Sequence, residues 1–195
     1  SFSRGGWLGL VVSCAVLAVL YERRLLLVGA ALALAAPFVL PSVLVERFLS
    51  SFTLDDTSNS YRLFIWRGSW ALARAYLWTG TGLGPESFGY TYPEYMIIQT
   101  PAPHAHSTYL EMLVELGLPG LAALMCFLAA WGREVWAGLR RVRFSGETAL
   151  MGGIVAAVIG HLLHGAVEFT WYSPRVTMCF WALLGLGLGA AREAR

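Results

Sequence analysis

Lysine is absent from this chain, and charge of any kind is scarce. All 14 basic residues are Arg, set against 12 acidic residues, for a net charge of +2. Charged residues make up 13% of the chain, roughly half of the ~25% usual in soluble domains. No basic stripe with interleaved aromatics appears, so a nucleic-acid partner is not expected. Cysteine is nearly missing too. Cys14, Cys126 and Cys179 stand far apart in apolar runs and form no ligand pattern, so they read as small packing residues rather than a disulfide or metal site. P-loop, GxSxG and CxxC motifs are lacking. Gly80, Gly82 and Gly84 follow no strand and do not make a nucleotide fingerprint. No cofactor is therefore expected.

What fills the chain instead is apolar: 57% of residues are hydrophobic and the mean hydropathy is +0.60. That balance points to a bilayer as the main solvent. Five stretches approach the ~20 residues a span requires: residues 7–20, 25–44, 118–135, 149–167 and 176–191. The reading is an all-α, polytopic membrane helix bundle, a single membrane domain. The chain opens at Ser1 without a Met or a signal-peptide n-region, so residues 7–20 are expected to be an internal helix of a longer protein.

Arginine placement orients the spans. Arg23 and Arg24, the cluster Arg133, Arg140, Arg141 and Arg143, and the terminal Arg192 and Arg195 all fall on one side if the five spans alternate. Excess positive charge belongs in the cytoplasm. Residues 1–6, the long segment 45–117 and the turn 168–174 then face outward.

The outer segment is expected to carry amphipathic helices. After the polar run Asp55–Ser60, apolar residues recur at Leu63, Trp66, Trp70, Ala73 and Leu77, a helical stripe with Trp at headgroup depth. Residues 79–85, TGTGLGP, read as a bend. A second helix is predicted from about His106 to Gly117, with Pro119 opening the third span.

His106, in the first turn of that helix, is the leading candidate for chemistry. The positive end of the helix dipole favours a neutral imidazole, able to act as general base toward a hydroxyl. A structural His bonded to backbone is the plainer alternative. Arg4 and Arg62 share the outer side; Arg62 is expected near free N–H groups at a helix N-terminus, where an anion would sit. Paired guanidinium groups suit a diphosphate, while headgroup anchoring is the plainer reading, favoured for Arg67 and Arg74. Arg67 is kept as a secondary candidate. Glu111 and Glu115, spaced i, i+4, would repel if both ionised, and both point away from His106, so neither is expected as its partner. His161, His164 and Glu168 form a row one turn apart that could line a polar pocket or bond between helices. His104 and His106 would diverge on a helix, so no metal site is expected there.

Taken together, the motifs resemble the O-antigen ligase and polymerase superfamily of bacterial envelope proteins. The ligase signature is His, then Asn, Ser or Gln, then nine residues, then GxxG; here His106-Ser107 precedes nine residues and Gly117-Leu118-Pro119-Gly120. Arg62 to Trp66 resembles the family's Arg-x-x-x-Trp segment. Gly80 to Gly84, followed by Phe88, resembles its Gly-rich turn, and Ser3-Arg4 its Ser/Thr-Arg motif. The matches run in the expected order along nearly the whole chain. The resemblance implies a metal-independent, inverting glycosyltransferase on the outer face of the bacterial inner membrane, working in cell-envelope polysaccharide or lipopolysaccharide assembly. The donor would be a glycan on a polyprenyl (undecaprenyl) diphosphate, and the acceptor a hydroxyl on lipid, glycan or protein. By that analogy Arg4 and Arg62 would hold the diphosphate and His106 would assist the hydroxyl, with Arg67, His104, Glu115, His164 and Glu168 as secondary candidates. The family has more helices than these five, so the chain is expected to be its C-terminal part.

A transporter of a small anion such as bicarbonate is the alternative. Tyr92-Pro93 to Tyr95 and the His104 to His106 run are similar to members so labelled. Such a protein needs polar groups along a path through the bilayer; only His161 and His164 fall inside a predicted span.

Overall fold

The computed structural model describes residues 4–43, 45, 57–141 and 146–193, and no strand occurs among them. Ser3, Asp55, Asp56, Arg143 and Arg195 lie outside the described residues, as does the side chain of Arg4. The helices are α1 (Arg4–Tyr21), α2 (Leu25–Val39), α3 (Thr57–Ala75), α4 (Pro85–Thr91), α5 (Thr108–Arg141), α6 (Gly146–Val167) and α7 (Pro174–Glu193). Short 3₁₀ turns cover Tyr92–Tyr95 and Thr170–Tyr172. Three helical segments are long and apolar enough to cross a membrane: Thr108–Arg141, Ala149–Val167 and Pro174–Glu193. The protein is an all-α membrane protein. α1 and α2 are apolar but shorter, and α2 buries none of its residues.

Small residues bring α1 against α6. A Cβ on Gly9 would lie 2.8 Å from the Gly160 carbonyl, and one on Gly160 would lie 2.0 Å from Ser13 Oγ. Ser13 Oγ donates across the gap to the Ala156 carbonyl at 2.9 Å. Gly5, Gly9 and Ser13 thus face Ala156, Gly160 and His164 at four-residue spacing, the small-residue pattern that lets backbones touch where lipid offers no hydrophobic drive. That register was present in the sequence and is what seats the N-terminus of α1, Gly5, against His164.

α5, α6 and α7 enclose one apolar core around Trp131, Val135, Met151, Val158, Phe180 and Leu184. Trp131 Nε1 donates to the Leu184 carbonyl at 2.8 Å, which resolves the one polar atom of that side chain. Where Gly138 meets Met151 and Ala191, the Arg140–Arg141 and Arg192 ends come together, opposite the 168–174 turn. The three cysteines differ from expectation: all are free and exposed, facing out of the bundle rather than packing within it.

A second core sits under the loop region, from Ile65, Leu72, Ala73, Phe88, Tyr92, Ala105, Leu113 and Val114. Here α3 buries only part of its predicted stripe, Ala73 with Leu77 packed against the same core. Its buried face carries Ile65, Ser69, Leu72 and Ala73, whereas Leu63 and Trp70 are exposed. The periodicity was helical, but α5 and the 92–95 turn, with Phe88, cover the other side.

α5 is broken at Gly117, whose φ of 66° is non-helical. Pro119 has no N–H for the Glu115 carbonyl, and Leu118 turns its own N–H to Leu77 O at 2.6 Å. The orphaned Val114 and Glu115 carbonyls instead accept from Thr81 N (2.9 Å) and Gly82 N (3.0 Å). The Gly-rich bend is therefore a plug for the broken helix. Gly80, at φ +68°, is required there, because a Cβ would sit 2.1 Å from Glu115 O. Glu115 itself accepts from Gly84 N at 3.0 Å, which makes it part of this joint. The predicted helix end at Gly117 is a bend, with helix resuming beyond it.

Candidate active site

Ser107 caps α5, its carbonyl accepting from Glu111 N at 2.9 Å. His106 thus precedes the helix, not in its first turn as predicted, and has φ +50°. Because neither His104 nor His106 is helical, their rings converge, with centroids 4.3 Å apart. The expectation that they diverge assumed a helix that starts two residues later.

The partner of His106 comes from the far end of the chain. Glu168, just past α6, places Oε1 at 2.9 Å from His106 Nδ1 and Oε2 at 2.6 Å from an Arg62 terminal nitrogen. Arg62 also donates to the Val167 carbonyl at 3.0 Å. It lies in the second turn of α3, because that helix begins at Thr57, so it does not stand among free N–H groups as expected. Thr108 Oγ1 fixes the acidic turn by donating to the Glu168 carbonyl (3.1 Å) and accepting from Thr170 N (3.2 Å).

Burial pushes the Glu168 carboxyl up, but the His106 hydrogen bond and the nearby Arg62, His106 and His104 charges outweigh it and hold the group at about 2. An ionised carboxylate only accepts. His106 Nδ1 must therefore carry the proton of their bond, which leaves Nε2 with the lone pair when the ring is neutral. That tautomer is the one a general base needs.

His104 is buried and accepts the His106 N–H on Nδ1 at 3.2 Å. Burial first, then the neighbouring His106 and Arg62 charges, lower its pKa from 6.5 to about 4, against the opposing Glu168. His164 lies close enough to Glu168 and Arg62 to feel both charges. His161 accepts from Trp171 Nε1 at 3.2 Å and meets Thr170 Oγ1 at 3.1 Å, bonding between elements. Arg67 is exposed and lines an open groove of about 380 Å³ beside Ser107, with Trp66, Trp70, Leu110 and Ala166. Glu115 is not at this cluster, while Glu111 stands behind it with a carboxyl oxygen accepting the Ala105 N–H. Arg4 opens α1 next to Gly5, which touches His164.

Donor atoms of His104, His106 and Glu168 lie within 4.8 Å of one another, near enough to close on a cation. The fit is poor. His104 Nδ1 is spent on a backbone N–H, both Glu168 oxygens are engaged, and the Arg62 guanidinium already sits on the same carboxylate.

The model for the O-antigen ligase family matches residues 1–125. The chain belongs to the O-antigen ligase family. No curated protein and no solved structure matches it. Membership gives this O-antigen ligase relative a membrane glycan-ligating role and the character of a glycosyltransferase-like enzyme in polysaccharide assembly, with glycan and lipid-linked substrates in general. Arg4, Arg62, His104 and His106 fall within the matched residues; His161, His164 and Glu168 fall beyond them. Glu168 was legible only as one of a row with His161 and His164. Its place in a turn expected on the same side as the His106 segment was the one signal for the pairing.

Proposed function

We propose that this O-antigen ligase relative transfers a glycan from a polyprenyl diphosphate to an acceptor hydroxyl on the extracytoplasmic face of the bacterial inner membrane, with inversion and without a metal. The observation that carries the reading is the chain Arg62–Glu168–His106, which leaves one imidazole nitrogen as a base beside a guanidinium.

The acceptor hydroxyl gives its proton to His106 Nε2 as its oxygen attacks the anomeric carbon. The bond from that carbon to the diphosphate breaks, and the electron pair leaves with the polyprenyl diphosphate. Glu168 stabilises the imidazolium that forms. Arg62 has N–H groups left after its two bonds, and with Arg4 it would meet the charge growing on the leaving group. The groove beside Ser107, with Trp66, Trp70 and Arg67, gives a lipid-borne substrate an apolar approach. Opposite this end lie Arg140, Arg141 and Arg192, which by charge bias belong in the cytoplasm.

The test is glycan transfer in membranes containing His106→Ala or Arg62→Ala protein at normal abundance. Loss of transfer in both, with lipid-linked glycan accumulating, supports the reading. Normal transfer in both refutes it.

A further inference from the structure

The segment 104–107 is held more tightly than its loop character requires. His106 occupies the left-handed region at φ +50°, where a residue with a Cβ is strained unless its surroundings enforce the conformation. Its N–H donates to His104 Nδ1 at 3.2 Å. Its carbonyl accepts from Trp66 Nε1 at 3.2 Å. The preceding Ala105 N–H is taken by a carboxyl oxygen of Glu111, a side chain with no exposed surface. Both backbone groups of His106 are thus bonded to side chains, one from its own segment and one from α3.

Resting on the proposed base role of His106, we infer that His104 is a positioning residue: its Nδ1 lone pair holds the His106 backbone in the conformation that aims the imidazole at the acceptor hydroxyl. His104 does so only while Nδ1 is unprotonated. The groups facing it are His106, Glu168 and Arg62, together with the rings of Phe169 and Tyr172 at 5.6 and 4.9 Å. That environment keeps the proton off at neutral pH: burial of the ring disfavours the cation and outweighs the pull of the Glu168 carboxylate, which the Arg62 guanidinium partly offsets. The ring contacts alone would be met by any flat aromatic side chain, so packing and hydrogen bonding separate by substitution.

His104→Phe keeps a ring among Phe169 and Tyr172 but removes the acceptor. His104→Asn puts an amide oxygen close to the place of Nδ1, whereas His104→Gln puts it near Nε2. In full-length protein, His104→Phe is expected to lower kcat by about tenfold, the equivalent of one hydrogen bond, with KM for the lipid-linked donor unchanged. His104→Asn is expected to restore most of kcat, and His104→Gln is not. Should His104→Phe fail to accumulate in the membrane, the Asn and Gln comparison decides alone. Wild-type kcat in His104→Phe or His104→Gln, or inactivity of all three variants at normal abundance, overturns the positioning role. His106→Ala is measured alongside: full transfer there brings down the base assignment itself, while an inactive His106→Ala beside a wild-type-like His104→Phe removes the positioning inference only.

Discussion

His106 and Glu168 stand 62 positions apart and meet through one 2.9 Å hydrogen bond. The bond ties the segment ahead of α5 to the turn after α6, and it sets the tautomer of the imidazole. Replacing Glu168 with Gln removes the obligate acceptor and releases Arg62 at once. Transfer is expected to fall by about 10²-fold or more, the scale of general-base assistance, while Glu168→Asp keeps a measurable fraction. The check is initial rate with lipid-linked donor at equal protein abundance.

Acid should weaken the fold through His104. Its pKa is about 4 when folded and near 6.5 when unfolded. Between those values the unfolded chain binds a proton that the folded chain does not, so stability is full above 6.5 and is lost as pH falls toward 4. Glu168 adds the same sign lower down, between about 4.5 and about 2. The measurement is the thermal midpoint in detergent across pH 4–7 for wild type and His104→Asn. The gap between them is expected to shrink on acidification.

The joint at Gly117 makes a separate expectation. Gly80→Ala adds a Cβ 2.1 Å from a backbone carbonyl at φ +68°, a contact no rotamer relieves. It should cost more than the ~1–3 kcal/mol of left-handed strain alone. Gly89→Ala, where nothing lies within 4 Å, should stay within about 0.5 kcal/mol of wild type. Unfolding midpoints of the two variants check this.

A side chain at Gly160 should pry α1 from α6, since it would meet Ser13 Oγ and the Gly9 carbonyl at 2.0 and 2.5 Å. Gly160→Leu is expected to reduce folded protein in the membrane severalfold. Gly153→Leu, at a position with open space, is expected not to. Quantified membrane abundance distinguishes them.

Length, hydropathy and Gly placement were enough to read an all-α membrane protein, the bend at residues 79–85 and the break at Gly117, because each depends on local chemistry. The face of α3 was not fully readable: Ile65 and Leu72 are buried by α5 and the 92–95 turn, with Phe88, a tertiary choice invisible to periodicity. The start of α5 was missed by two residues, and that small shift moved His104 and His106 from divergent to adjacent. Glu168 could be nominated but not paired, since its bond to His106 depends on how α6 ends against α5. Glu115 drew attention as a charge in an apolar run, yet its carboxylate serves the backbone of the Gly-rich bend.

The most direct measurement is a double-mutant cycle on glycan transfer with His106→Ala, Glu168→Gln and the pair together. If Glu168 works through His106, the double variant should lose clearly less than the product of the two single losses. Losses that multiply would mean that the two residues serve the reaction independently, and would contradict the shared Arg62–Glu168–His106 site.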